Sequence, residues 1–273
     1  MDQRQAKDIK SRTEDRANTS GVLDEESVCA DMVESAELGL QEYDRIEQTG
    51  WSDMSDWEVQ QRNLDYSPLY PELWDLFQNP EAWISNFVHP GFREMLATGD
   101  YKRYVKEVCP HVYTFPVFTK DFCSKLVLEA NLFNEWHENT GGNKEYPVVD
   151  LSLRAFLDLE QVIHSFYRAH LTDIIGELYL GWKPSQYCWS FATKYEKENN
   201  FLDFHYDIGT NLGAIVCLNN NFEGGGTHFL QQEFHHKNKN IGWITLHPGQ
   251  ITHKHSGGRV IRGTRYIMTT FVR

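Results

Sequence analysis

The sequence predicts an α+β fold, with helices in its first half and strands in its second. Three observations carry this. Apolar residues recur at three- and four-residue spacing in stretches before residue 180. From about residue 187 the period shortens to two. The alternating stretches are separated by turn signals: Asn219-Asn220-Asn221, Gly224-Gly225-Gly226, Pro248-Gly249 and Gly257-Gly258.

The elements follow in order. Residues 1–66 form an acidic leader with 17 Asp and Glu against 7 Lys and Arg, a net −10 of the chain's −13. Its first 24 residues are polar and expected to be disordered. Residues 25–48 place Val28, Met32, Val33, Ala36, Leu40, Tyr43 and Ile46 at helical spacing, which predicts one amphipathic helix. From 67 to 108, Pro68, Pro71, Pro80 and Pro90 interrupt short aromatic stretches and predict short helices and turns. Residues 110–118 read as a strand, and Thr119 caps a helix running through Phe122, Leu126 and Ala130. A second long helix fits Leu159–Leu178. Strands are then expected at Cys188–Tyr195, Leu212–Leu218, Gly242–Leu246, Ile251–His255 and Tyr266–Val272. Such strands form an antiparallel sandwich or barrel. Residues 67–273 are therefore expected to be one domain, with its core strands over about 187–273.

Composition bounds the function. The chain is 40% hydrophobic and 14% aromatic, enough for a packed core. A charge of −13 is repelled by phosphate backbones and anionic lipid, so neither nucleic acid nor a membrane surface is the expected partner. The five cysteines are scattered with no C-x-x-C pair, which excludes a disulfide framework or a zinc knuckle. The polar Met1-Asp2-Gln3-Arg4-Gln5 start shows no secretory signal, so an intracellular, cytoplasmic location is the expectation.

The chemistry starts at His205-Tyr206-Asp207. On an extended chain, residues two apart point the same way, so one imidazole and one carboxylate reach a single ion while Tyr206 faces away. A third ligand from a later strand completes two histidines and one carboxylate. That set leaves three positions open and is the facial triad of non-haem Fe(II) oxygenases. His247, His253 and His255 are available, and alternation does not separate His253 from His255. Arg265 opens the last strand, where a buried guanidinium needs a bidentate anion; the distal carboxylate of 2-oxoglutarate is one. His255 and Arg265 are ten residues apart across a glycine-containing turn, so adjacent antiparallel strands are expected to bring both to one ligand. Tyr195, on the preceding strand, is a further candidate contact for 2-oxoglutarate.

The motifs Glu223-Gly-Gly-Gly-Thr-His-Phe229, Gly242-Trp243, His247-Pro-Gly249, Thr252-His-Lys-His255 and Gly263-Thr-Arg-Tyr266 join the H-x-D pair in one pattern. Upstream stand Asn79-Pro80-Glu81-Ala82-Trp83, Cys109-Pro-His-Val-Tyr-Thr-Phe-Pro-Val-Phe-Thr119 and Val149-Asp150-Leu151. Together they resemble the catalytic domain of the procollagen lysyl hydroxylases over about residues 75–273. The resemblance implies a double-stranded β-helix, or jelly roll, with flanking helices. It implies Fe(II) on His205, Asp207 and His255, 2-oxoglutarate on Arg265, and L-ascorbate as a reductant. Two departures stand near the pair: Asp203-Phe204 replaces a basic-proline pair, and Ile208 to Val216 do not reproduce the family's pattern. The family's N-terminal glycosyltransferase-like domains have no counterpart in these residues.

The expected activity is thus hydroxylation of a peptidyl side chain, lysine above all, with a protein or peptide as partner. The same chemistry on a small molecule or another residue is an alternative, and a catalytically silent jelly-roll interaction module is another. A lysine substrate wants an acidic group nearby, and Asp203, Glu223 and Glu233 are the candidates. Gly224–Gly226 reads as a strand-linking turn and not a phosphate loop, since no Lys-Ser/Thr follows. His235-His236 reads as solvated loop, His253 as packed or orienting a ligand, and Cys217 as a small core residue.

Overall fold

The structure, a computed structural model, describes residues 66–138, 148–196 and 201–273. The helix expected at 25–48 and the leader before Tyr66 lie outside these residues.

A 3-10 turn at Pro71–Trp74 leads to helices α1 (Pro80–Phe87) and α2 (Pro90–Thr98). Each helix opens on a proline, where a missing amide is harmless. Asn79 and His89 accept from the amides of Ala82 and Gly91. The strand expected at 110–118 is the shorter β2 (Val112–Pro116), paired with an unexpected β1 (Lys106–Cys109) around His111 at φ 59°. Helix α3 (Lys120–Phe133) starts as expected, with Thr119 accepting from the amide of Phe122. Strands β3 (His137–Glu138) and β4 (Val149–Ser152) follow.

The single helix expected over Leu159–Leu178 is two, α4 (Leu159–His170) and α5 (Thr172–Leu178). The Thr172 hydroxyl donates to the Arg168 carbonyl, the acceptor its own amide would use in a continuous helix. No proline or glycine marks that break.

The second half is β5 (Tyr187–Tyr195), β6 (Leu202–His205), β7 (Leu212–Cys217), β8 (Glu223–Gly224) and β9 (Thr227–Phe229). It continues as β10 (Phe234–His236), β11 (Trp243–Pro248), β12 (His255–Gly257), β13 (Val260–Arg262) and β14 (Arg265–Val272). Ile251–Lys254 is not strand. Three of its backbone groups are taken by glutamine side chains: Gln231 donates to Ile251 O, Gln232 donates to Thr252 O, and the Lys254 amide donates to Gln231. His235 and His236 lie on β10 rather than in a solvated loop, with His236 Nε2 3.2 Å from the Thr245 hydroxyl.

All pairings among the described strands are antiparallel. An eight-stranded sheet runs β1-β2-β11-β7-β14-β5-β4-β3, a four-stranded sheet β10-β9-β12-β6, and β13 pairs β8 alone. Alternation gives the large sheet two faces. Ala192, Val216, Leu246 and Met268 join the helices in the main core, around an aromatic cluster of Trp83, Phe87, Phe118, Phe122 and Phe166. Burying each such ring stabilises the domain by roughly 1.5–3 kcal/mol. The opposite face carries Thr193, Tyr195, Ile215 and Ile267, and looks into a cavity.

Candidate metal centre

The cavity measures about 230 Å³ and is lined by the eight-stranded and the four-stranded sheet. The four-stranded sheet brings His205 and His255 together, because β12 pairs β6 with His255 directly opposite His205. His205 ends its strand, and Asp207 stands just beyond it in a turn. The Asp207 amide donates to Gly249 O at 2.8 Å, and the Thr210 hydroxyl donates to Asp207 O. The expected pair therefore converges, but through a strand end and a turn. Tyr206 does not face wholly away; it contributes to the cavity wall.

One ligand atom from each of His205, Asp207 and His255 lies within 4.8 Å of the others. Asp207 Oδ1 is 3.6 Å from both His205 Nε2 and His255 Nε2. Adjacent donors around a small octahedral ion at about 2.1 Å are about 3 Å apart, so a slight contraction suffices. The tautomers suit a metal. His205 Nδ1 donates to Asp203 O at 2.7 Å and His255 Nδ1 to His253 O at 3.0 Å, since a carbonyl only accepts. Each Nε2 is left as the lone-pair nitrogen. Burial would raise the Asp207 carboxyl, but the imidazoles of His255, His205 and His247 outweigh it and hold the group well below the usual range. Burial pushes the His255 imidazole down to about 3, against the pull of Asp207. The donor set thus fits a divalent ion.

His247, the other histidine available as third ligand, is fully buried and faces the second oxygen, Asp207 Oδ2, at 3.9 Å. His253 points elsewhere, with Nε2 2.9 Å from Pro110 O, while its carbonyl orients His255. Small residues make room for the carboxylate. A Cβ on Gly213 would come 2.6 Å from the His247 ring and 2.7 Å from Asp207 Oδ2.

Arg265 is 4% exposed, and its Nε and Nη1 have no hydrogen-bond partner among the described residues. Its guanidinium lies 4.9 Å from the centre of the Tyr195 ring, its register partner on β5. Gly225, at φ +67°, lets the chain pass over the Arg265 stem. An unpaired buried guanidinium beside three convergent ligands matches a dicarboxylate co-substrate. The route differs from the expectation, though. His255 and Arg265 are on different sheets, with β13 between them, and meet by lining one cavity from opposite sides.

None of the three acidic candidates for a lysine lines the cavity. Asp203 and Glu233 are exposed, and Glu223 pairs with Arg262. The carboxylate that does, besides Asp207, is Asp150 on β4. Its one sequence signal is a lone acidic residue within the apolar run Val148-Val149-Asp150-Leu151.

A family model described as "OGFOD2-like domain" matches residues 63–176. Human "Procollagen-lysine,2-oxoglutarate 5-dioxygenase 1" is 32% identical over 216 residues, 75% of this chain and 29% of that protein. The chain is a homologue of the procollagen-lysine,2-oxoglutarate 5-dioxygenases. The rat "Multifunctional procollagen lysine hydroxylase and glycosyltransferase LH3" is likewise 32% identical over 222 residues, 77% of this chain and 29% of that homologue. The chain therefore spans under a third of the length of these homologues. A prolyl hydroxylase of Trichoplax adhaerens, solved with a peptide fragment of a hypoxia inducible factor, superposes with a TM-score of 0.49. It is 14% identical, and the match covers 81% of this chain and 94% of that one. No helix among the described residues is long and apolar enough to cross a membrane.

Proposed function

We propose that this chain is an Fe(II)- and 2-oxoglutarate-dependent dioxygenase that hydroxylates a peptidyl side chain, with lysine as the residue. The proposal assigns His205, Asp207 and His255 as iron ligands and Arg265 as the 2-oxoglutarate anchor, with Tyr195 beside it. It also takes the two facing sheets as the double-stranded β-helix of that class. The observation that carries it is the pairing of a three-ligand cluster with a buried guanidinium that has no carboxylate partner among the described residues, in one cavity.

Iron with 2-oxoglutarate supplies an oxidant able to attack an unactivated C–H bond. The chain's own residues do the rest. The two imidazoles are each held by a backbone carbonyl, which would keep Nε2 directed at the bound ion. Arg265 gives the co-substrate a fixed anchor point for its far carboxylate. The apolar wall of Phe191, Ile215, Ile267 and Phe271 keeps bulk water from the reacting centre.

The test is succinate formation from 2-oxoglutarate with Fe(II), L-ascorbate and lysine-containing peptides, with mass spectrometry of the peptide. One added oxygen on lysine, absent in Asp207→Ala, is the expected result. No succinate with any peptide would favour the silent interaction module, and succinate without peptide oxidation would favour a small-molecule substrate.

A further inference from the structure

The charged groups lining the cavity are few: Asp207 within the histidine cluster, Arg265, and Asp150. The first two have roles in the proposed chemistry, and the third has none. Asp150 is 8% exposed, and its Oδ1 has no hydrogen-bond partner among the described residues. It lies on β4 opposite Thr193 of β5, and Thr193 lies opposite Ile267 of β14. Asp150 and Arg265 are therefore two strands and two residues apart on one face, roughly 12 Å between Cα atoms. The wall next to Asp150 is aromatic and apolar, with Phe191 and Trp189 farther along the same face of β5.

We infer that Asp150 is a specificity-determining residue, whose carboxylate receives the ammonium group of a lysine side chain while the aromatic wall takes its methylenes. This rests on the reading of the cavity as an oxygenase site and names what selects its substrate. Three features support it. A carboxylate buried without a counter-ion is unfavourable for the fold, so its presence in a ligand cavity asks for a cationic ligand. Burial pushes the Asp150 carboxyl up to about 7, with only the Thr193 hydrogen bond opposing it and no basic group offsetting it. The position also leaves the arginine at the far end free for an anion, so one cavity holds one site for each sign of charge. A lysine lying along Phe191 reaches Asp150 with its tip and presents its methylenes to the interior of the cavity.

The test compares a fluorescent lysine peptide with its norleucine counterpart, which has the same methylenes and no ammonium. Binding is read by anisotropy on protein carrying Mn(II) and 2-oxoglutarate, without O2. The wild type is expected to prefer lysine by about tenfold or more, the worth of one charge-assisted hydrogen bond. Asp150→Asn and Asp150→Ser are each expected to collapse that ratio to near one, while Asp150→Glu keeps part of it. The ratio is internal to each variant, and the two neutral replacements guard against one of them misfolding. A preference that survives both neutral variants, or no preference in the wild type, would overturn the assignment. Succinate made by the wild type without peptide, measured in parallel, judges the oxygenase reading separately. Succinate without lysine preference removes only the role of Asp150; lysine preference without succinate supports that role and removes the oxygenase.

Discussion

The eight-stranded sheet and the four-stranded sheet contribute unlike chemistry to the cavity they share. The small sheet and the turn beyond β6 provide two imidazoles and one carboxylate clustered within 4.8 Å. The large sheet provides isolated charges, Arg265 and Asp150, spread along an otherwise apolar wall. The support behind each differs as well. The large sheet is backed by the helices and their aromatic core, so its side chains stand on a rigid floor. The small sheet holds its histidines by hydrogen bonds from Nδ1 to nearby carbonyls. On the proposed reading, one wall holds an ion and the other anchors and selects organic ligands.

Substitutions can break that division in order of severity. Asp207→Ala should have the largest effect. It removes the one carboxylate that faces both histidines, and metal affinity should fall by more than about 100-fold, read as metal retained after dialysis. Arg265→Lys comes next. It keeps the charge and loses the planar fork, so the half-saturation for 2-oxoglutarate should rise about tenfold or more with metal content unchanged. If metal retention falls with Arg265→Lys instead, the two walls are not separate in function.

Gly213→Ala should act on the small wall through the backbone of the large one. Its Cβ would meet both the His247 ring and Asp207 Oδ2. The overpacking should cost about 1–3 kcal/mol, seen as a lower Tm together with weaker metal binding.

The last substitution, Asp150→Asn, should leave metal binding intact and act on stability through pH. The folded carboxyl titrates at about 7, above its value of about 3.9 in an unfolded chain. The folded state therefore holds a proton that the unfolded state releases, and wild-type stability falls as pH rises from about 4 to 7. Asn removes that slope. The metal-free variant should match the wild type near pH 4 and exceed it at pH 7 and above, read as a higher Tm. Equal Tm at both pH values would mean that Asp150 is already well satisfied, which would also weaken its reading as a waiting counter-ion.

The contrast between the walls explains what could be read without coordinates. His205, Asp207, His255 and Arg265 stand in short local patterns, and all four line one cavity. The path connecting them was not legible. Ile251–His255 alternates like a strand, yet Gln231 and Gln232, some twenty residues earlier, take three of its backbone groups, and of these five residues His255 alone joins the ladder. Arg265 was expected on the strand next to His255, but sheet membership is a long-range property that a ten-residue spacing does not encode. Asp150 was missed for the same reason. Its role depends on which face of β4 turns to the cavity, and that is decided by pairing with β5. The break in the helix at Leu171 was hidden because no glycine or proline marks it; what accompanies it is the Thr172 hydroxyl on the Arg168 carbonyl.

The central claim is that two walls meet at one metal and its co-substrate. A structure of the protein with Mn(II) and 2-oxoglutarate, without O2, tests it most directly. The expected result is a metal held by His205, Asp207 and His255, with the far carboxylate of 2-oxoglutarate on Arg265 beside Tyr195. Coordination by His247 or His253 in place of His255, or a 2-oxoglutarate carboxylate that leaves Arg265 unpaired, would contradict it.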